Sequence, residues 1–226
     1  MKQKYELLRE ILRLNIFKTL YFNLKYFPLK TALHLPVHIF RNVEISMTKG
    51  KIVLPSPKFG MVKLGKPDKY SFDRKGNITK WKSEGTLIVH GQVVFGRGCG
   101  IRIGKEATLE IGQNTCLTGH TDIACFKQIT IGRDCLISWD VLIMDTDFHH
   151  IKDNNGKYLN EPKPIVIGDH VWIGCRCTVL KGTAIQSDNV IAAGTLVTRD
   201  IKDTKSVIGC VGGKLALIKE EVSWSI

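Results

Sequence analysis

Aliphatic residues recur at every sixth position over one stretch of the chain: Ile167, Ile173, Val179, Ile185, Ile191 and Val197. Four residues after each of the first five stands Val171, Cys177, Thr183, Asn189 or Thr195, mostly small or β-branched. Six steps of about 100° do not return to one side of a helix, whereas six is a multiple of the strand period of two. Gly, Asp and Asn punctuate the repeat too often for long strands. The pattern therefore predicts a solenoid in which each short strand sends an aliphatic residue inward, the chain turns, and the next strand repeats. Upstream, Ile111, Leu117, Ile123 and Ile129 keep the same spacing, and Ile131, Ile137 and Ile143 keep it in a second register.

From Ile143 to Ile167 the intervening register positions are His149, Asn155 and Glu161, none of which can fill an apolar interior. The segment 145–164, "DTDFHHIKDNNGKYLNEPKP", is expected to leave the solenoid as a loop and return in phase. Ahead of the repeat, Lys4 to about Phe27 reads as a helix. Leu8, Ile11, Leu12, Ile16 and Leu20 form its apolar face, and Arg9, Arg13 and Lys18 lie off it. The expected organisation is a basic helical and irregular extension over 1–60 and lead-in strands over 61–84, with a turn at Phe72–Asn77. The solenoid follows over 85–204, and 205–226 is a short strand or helix that caps its open end.

Charge divides the chain. Up to Lys82 there are 18 Lys and Arg against 5 Asp and Glu; after it there are 15 against 16. The positive field belongs to the N-terminal third, either as a solvated face or as attraction to an anionic membrane surface or glycan. No nucleic-acid-binding module is visible, so no nucleic-acid partner is expected. Two readings of the N-terminal helix stay open. In one it docks on its own protein or a neighbouring subunit. In the other it is an interfacial helix with Phe17, Tyr21, Phe22, Tyr26 and Phe27 near lipid headgroups. Charged residues interrupt the N-terminus too early for a signal peptide, and no apolar run approaches the ~20 residues of a membrane span. Seven cysteines without a disulfide-like framework fit a reduced, cytoplasmic setting. Cys135 and Cys177 fall on small inward positions and read as core residues.

The repeated Ile-Gly pairs, "VWIGCRCTVLKGTAI" and "VIAAGTLVTRDI" resemble the hexapeptide-repeat acyltransferases, over roughly Gly85 to Asp203. The resemblance implies a mainly β protein: a left-handed parallel β-helix of triangular cross-section, here with an N-terminal amphipathic helical extension. It also implies acetyl-CoA as co-substrate without a metal, and a homotrimer with active sites between neighbouring prisms. "MDTDFHHI" resembles the family's catalytic loop, with His149 as general base and His150 where the family usually has proline. An imidazole suits that task near neutral pH. Asp145 or Asp147 is the candidate to orient it. Asp-x-Asp-x-His is also a competent metal-ligand set. By resemblance, Trp172, Cys175, Ala193, Thr198 and Arg199 line the coenzyme groove. Small Ala192, Ala193 and Gly194 admit the pantetheine arm, and Lys202 or Lys214 adds charge for phosphate. "VIGCVGGKLA" departs from the Gly-x-Pro-Ala-like turn that closes many members.

The basic extension resembles the bacterial branch that acetylates surface polysaccharide. The expected function is O-acetylation of a sugar or glycan hydroxyl, in the cytoplasm or peripherally at the inner face of the membrane. Three alternatives remain: a small acceptor (free sugar, amino sugar or antibiotic), a zinc-dependent carbonic-anhydrase-like enzyme using His120, His149, His150 and His170, and a non-catalytic trimeric scaffold.

Overall fold

The computed structural model describes residues 8–67 and 76–225. The first residues of the expected helix and most of the Phe72–Asn77 turn lie outside them. The strands form three sheets in which every third strand is a neighbour, so the chain winds around a three-sided prism. The six-residue spacing places successive aliphatic residues on successive faces. Ile167 stacks in register between Ile131 and Ile185, Ile173 between Ile137 and Ile191, and Val179 between Ile143 and Val197. All nine are buried. Parallel stacking on both sides pairs the backbone, and the inward residues form one continuous core. The corners need left-handed backbone, which explains the polar punctuation. Asn114, Asp134, His170 and Asp188 supply it down one edge, and His120, Asp140 and Arg176 down another. Cys135 and Cys177 are buried, and their thiols donate to the Gly168 and Ala192 carbonyls at 3.2 and 3.1 Å.

The parallel stacking begins well before residue 85. Val37–Ile39, Val43–Thr48 and Lys51–Val53 pair in parallel with Val62–Lys66, Thr79–Ser83 and Thr86–Val89. Part of the stretch read as irregular extension and lead-in is therefore the first two coils of the prism. Long connections between the strands hide the period there, as do register shifts at Ile45/Met47 and Leu64/Lys66.

The N-terminal helix is also not continuous. Residues 8–11 make one helical turn, Leu14 bridges to Phe40, and helix α1 runs from Ile16 to Tyr26, followed by a short α2, Leu29–Ala32. Asn15 causes the break. Its side chain caps α1 by accepting from the Lys18 amide at 3.0 Å, while its own amide donates to the Ile39 carbonyl at 2.8 Å.

Helix α1 docks through a polar face. Asn23 accepts from the Val37 amide at 3.1 Å and donates to the Val37 carbonyl at 2.7 Å. Thr19 Oγ1 accepts from the Ile39 amide at 3.1 Å. These side chains replace the neighbour that the first strand lacks. Beside them Phe22 and Tyr26 pack on Trp81, whose Nε1 donates to the Tyr26 hydroxyl at 3.1 Å. The apolar face is therefore turned out: Leu8, Leu12, Ile16 and Leu20 are exposed. Of the aromatics assigned to an outer surface, Phe22 is buried, Tyr26 and Phe27 are half-buried, and Phe17 and Tyr21 are exposed. The open strand edge needs donors and acceptors, which leucine lacks. Asn23→Ala leaves both Val37 backbone groups without partners, and a destabilisation of about 2 kcal/mol is expected in urea unfolding. An unchanged midpoint would remove this capping role.

Glu10, on the first helical turn, sits 2.8 Å from the Lys63 ammonium and 3.7 Å from His38 Nδ1. Burial pushes its carboxyl up, but His38, Lys63 and Lys66 outweigh that and bring it down to about 2. At the other end, Val207–Val211 continues the stack in parallel on Val190–Ile191, and Lys214–Lys219 turns back antiparallel on it. Trp224 stacks flat on the His170 ring at 4.4 Å and donates to the His170 carbonyl at 3.0 Å.

Candidate active site

The loop leaves one edge of the prism between strands Leu142–Met144 and Ile165–Ile167, and Ile165 returns in phase beneath Ile129. Asp145 anchors its base. This carboxylate is fully buried and accepts from the amides of Phe126, Lys127 and Gln128 at 2.7, 2.7 and 2.8 Å. The chain then makes a tight turn, with the Phe148 amide on Thr146 Oγ1 at 3.1 Å and Phe148 in the left-handed region. Phe148 packs edge-on against Phe126 at 5.1 Å, and the Arg102 guanidinium lies over both rings, 5.0 and 5.2 Å from their centroids.

His149 follows on the exposed rim. Its carbonyl accepts from Asn160 Nδ2 at 2.7 Å, and Asn160 Oδ1 accepts from the Ile151 amide at 2.7 Å. Asp147 Oδ2 accepts from Asn160 Nδ2 at 2.9 Å and from Lys181 Nζ at 2.5 Å, and Lys181 also donates to the Asn160 carbonyl at 2.8 Å. The Lys181 ammonium and the Asn160 amide hold the Asp147 carboxyl below the usual carboxylate range. Asn160 and Lys181 thus brace the turn that carries His149. Sequence reasoning did not single them out, because they join His149 only after the loop has folded back onto the next coil.

Among the described residues, no hydrogen bond reaches the His149 ring. In this structure the oxygens of Asp145, the first of the two carboxylates expected to orient it, are taken up by backbone amides, and Asp147 is held by Lys181 and Asn160. Both position the loop rather than the imidazole. The two histidines are also distinguished. His150 packs its ring on Tyr158 at 4.4 Å, within the loop's own fold.

The residues matched to a coenzyme groove divide between edges. Cys175 and Ala193 stack on adjacent coils of one edge, where the Gly194 amide donates to the Cys175 carbonyl at 2.8 Å. A side chain at Gly194 would meet nothing within 4 Å, so the backbone there is open to close approach. Trp172, on the preceding strand, is partly exposed and donates from Nε1 to Ser138 Oγ at 3.0 Å. Thr198 and Arg199 lie instead on the edge of the His149 loop, and Arg199 donates to the Leu215 carbonyl at 2.8 Å. Arg199 and Lys202 line a cavity of about 320 Å³ against the terminal hairpin. The other histidines weighed as metal ligands are spread out. His120 pairs with Asn77 at 2.6 Å and His170 with Asp188 at 2.9 Å, so His120, His149 and His170 occupy three different edges of one prism.

The family model described as bacterial transferase hexapeptide (six repeats) matches residues 164–199. A polysialic acid O-acetyltransferase of Escherichia coli O1:K1 / APEC is 32% identical over 138 residues, which is 61% of this chain. The chain spans about two-fifths of that relative's length, 42%. The crystal structure of the polySia-specific acetyltransferase NeuO matches with a TM-score of 0.62 at 22% identity, covering 81% of this chain and 72% of NeuO. The hexapeptide-repeat acetyltransferase VCA0836 of Vibrio cholerae O1 biovar eltor, solved with acetyl coenzyme A, matches with a TM-score of 0.50 at 23% identity. That match covers 59% of this chain and 70% of the other. Residues 164–199 thus match the hexapeptide model, the fold is the left-handed β-helix shared with NeuO, and the chain is similar in sequence to an O-acetyltransferase.

Proposed function

We propose that the chain is an acetyl-CoA-dependent O-acetyltransferase acting on a sugar or glycan hydroxyl of a surface-polysaccharide precursor. The observation that carries this reading is the braced, outward His149 at the edge of a rigid prism. In the proposed reaction the imidazole takes the proton from the acceptor hydroxyl. The oxygen then attacks the thioester carbonyl carbon, the C–S bond breaks, and the proton leaves with the coenzyme A thiolate. Direct transfer fits Cys99, Cys125, Cys135 and Cys177, which are four of the seven cysteines and are buried, with burial pushing each thiol up. The positive Arg102 beside Phe148 favours an acidic glycan, in keeping with the name of the Escherichia coli relative.

His149 and the open corner at Ala193 and Gly194 stand on different edges of one chain. A site that uses both is completed by a neighbouring copy, which supports a homotrimer. The working place we infer is the cytoplasm, peripherally on the inner face of a membrane. The test is release of coenzyme A thiol from acetyl-CoA with acidic oligosaccharides, neutral oligosaccharides and single sugars. Release is expected with the glycans, most with the acidic ones. Release with single sugars only would move the acceptor to the small-molecule class, and failure to bind acetyl-CoA would overturn the reading.

A further inference from the structure

The outward face of α1 needs an occupant. Ile16, Phe17, Leu20, Tyr21 and Leu24 follow one another at helical spacing on the side opposite Thr19, Phe22 and Asn23, and all five are exposed, Phe17 at 87%. Beyond Pro28, Leu29 and Leu33 are exposed as well, at 65% and 70%. A contiguous apolar strip of this kind on a well-packed cap marks an interaction surface. No described helix is long and apolar enough to cross a membrane, so the strip is not part of a span.

Charge identifies the occupant. Between residues 8 and 44 the exposed charged side chains are the basic Arg9, Arg13, Lys25, Lys30 and Arg41 and one carboxylate, Glu44, which shares a pocket with Tyr21 and Arg41. The other carboxylate in that stretch, Glu10, is half-buried against Lys63. Lys18 is turned inward and donates to the Val43 carbonyl. We propose that this face, Ile16 to Leu24 with its basic rim, seats the protein on an anionic lipid surface. An apolar strip with cationic flanks matches the layered chemistry of such a surface, acyl chains below and phosphates at the rim. A second copy of the same face is disfavoured, because two identical rims, each with five exposed cations against the single carboxylate of Glu44, would be brought together. The docking geometry leaves the strip free: α1 holds the prism through side-chain hydrogen bonds and Phe22, so lipid contact does not compete with the fold. This inference rests on the membrane placement proposed above and not on acetyl transfer.

The experiment is flotation of the full chain with vesicles of phosphatidylcholine, and of phosphatidylcholine with about one-third phosphatidylglycerol. It is repeated for Phe17→Ser/Leu20→Ser/Leu24→Ser and for Arg13→Gln/Lys25→Gln/Lys30→Gln, with light scattering for mass and thermal melting for fold. Binding roughly tenfold greater on the anionic vesicles is expected, lost in both variants and weakened by salt, at unchanged mass and melting temperature. Wild type unbound by either vesicle, or equal binding by the serine variant, would overturn it. So would a serine variant whose mass falls, because that assigns the strip to a subunit contact. Coenzyme A release measured with a soluble acceptor in the same variants is a separate readout, so loss of membrane binding and failure of the transferase reading are told apart.

Discussion

His149→Ala is expected to lose roughly 100- to 10,000-fold in the rate of acetyl transfer, the range a positioned general base contributes. That is about 3 to 5 kcal/mol of barrier. Binding of acetyl-CoA, followed by calorimetry, should stay within a factor of a few. In the proposed reaction the imidazole acts on the acceptor hydroxyl, whereas Cys175, Ala193 and Gly194 form the open corner assigned to the donor. His150→Ala is the matched control, because its ring is already packed on Tyr158. It should cost far less, through loosening of the loop alone. A His149→Ala enzyme that keeps a third of its rate would exclude the base, and loss of acetyl-CoA binding in that variant would make His149 a donor contact instead.

Asp145→Ala is the second large effect, and it falls on stability. Three amides, those of Phe126, Lys127 and Gln128, converge on this carboxylate at a corner closed to water. Each buried donor left without a partner costs on the order of 1 to 3 kcal/mol. A total near 4 kcal/mol allows for some relaxation and corresponds to a fall in melting temperature on the order of 10 °C for a chain of this size. Asp145→Asn retains one carbonyl oxygen and should recover part of the loss. The pair of variants separates two roles. An acid that orients His149 would, as asparagine, lose turnover at an unchanged melting temperature. An acid that holds the corner loses melting temperature first, and the hydrogen bonds favour that outcome. A thermal scan of both variants beside the coenzyme A assay decides it.

Reading the sequence worked where one physical requirement acted alone. From Ile167 to Val197 the interior needs one aliphatic residue per strand and the corners are short, so the period is uninterrupted and the fold is legible. The loop was legible for the same reason: His149, Asn155 and Glu161 cannot lie inside. Over the first coils two requirements overlap. The core positions Val37, Ile39, Val62 and Leu64 are present, but long connections and shifted registers break the count. Helix α1 shows the opposite failure. Its apolar stripe is clear, yet the protein uses the other side, because an unpaired strand edge recruits Asn23 and Thr19 before it recruits leucine. In the candidate site, His149 is nominated by the resemblance of "MDTDFHHI" to a catalytic loop. Asn160 and Lys181 could not be chosen, since their partnership with Asp147 exists only once chain segments distant in sequence have met.

The polar underside of α1 also closes one edge of the stack. A parallel stack of coils has no intrinsic length: its first strand is an edge that any similar edge can extend, and a head-to-tail contact between copies does not close on itself. Asn23 and Thr19 occupy that edge with side chains, which offer nothing onto which a further strand can add. At the far end the hairpin reverses direction and presents an antiparallel strand instead of another coil. Parallel head-to-tail extension of this sheet is thereby opposed at both of its ends, which favours association of copies side by side. The arrangement that makes the helix look misoriented is what closes that edge of the column.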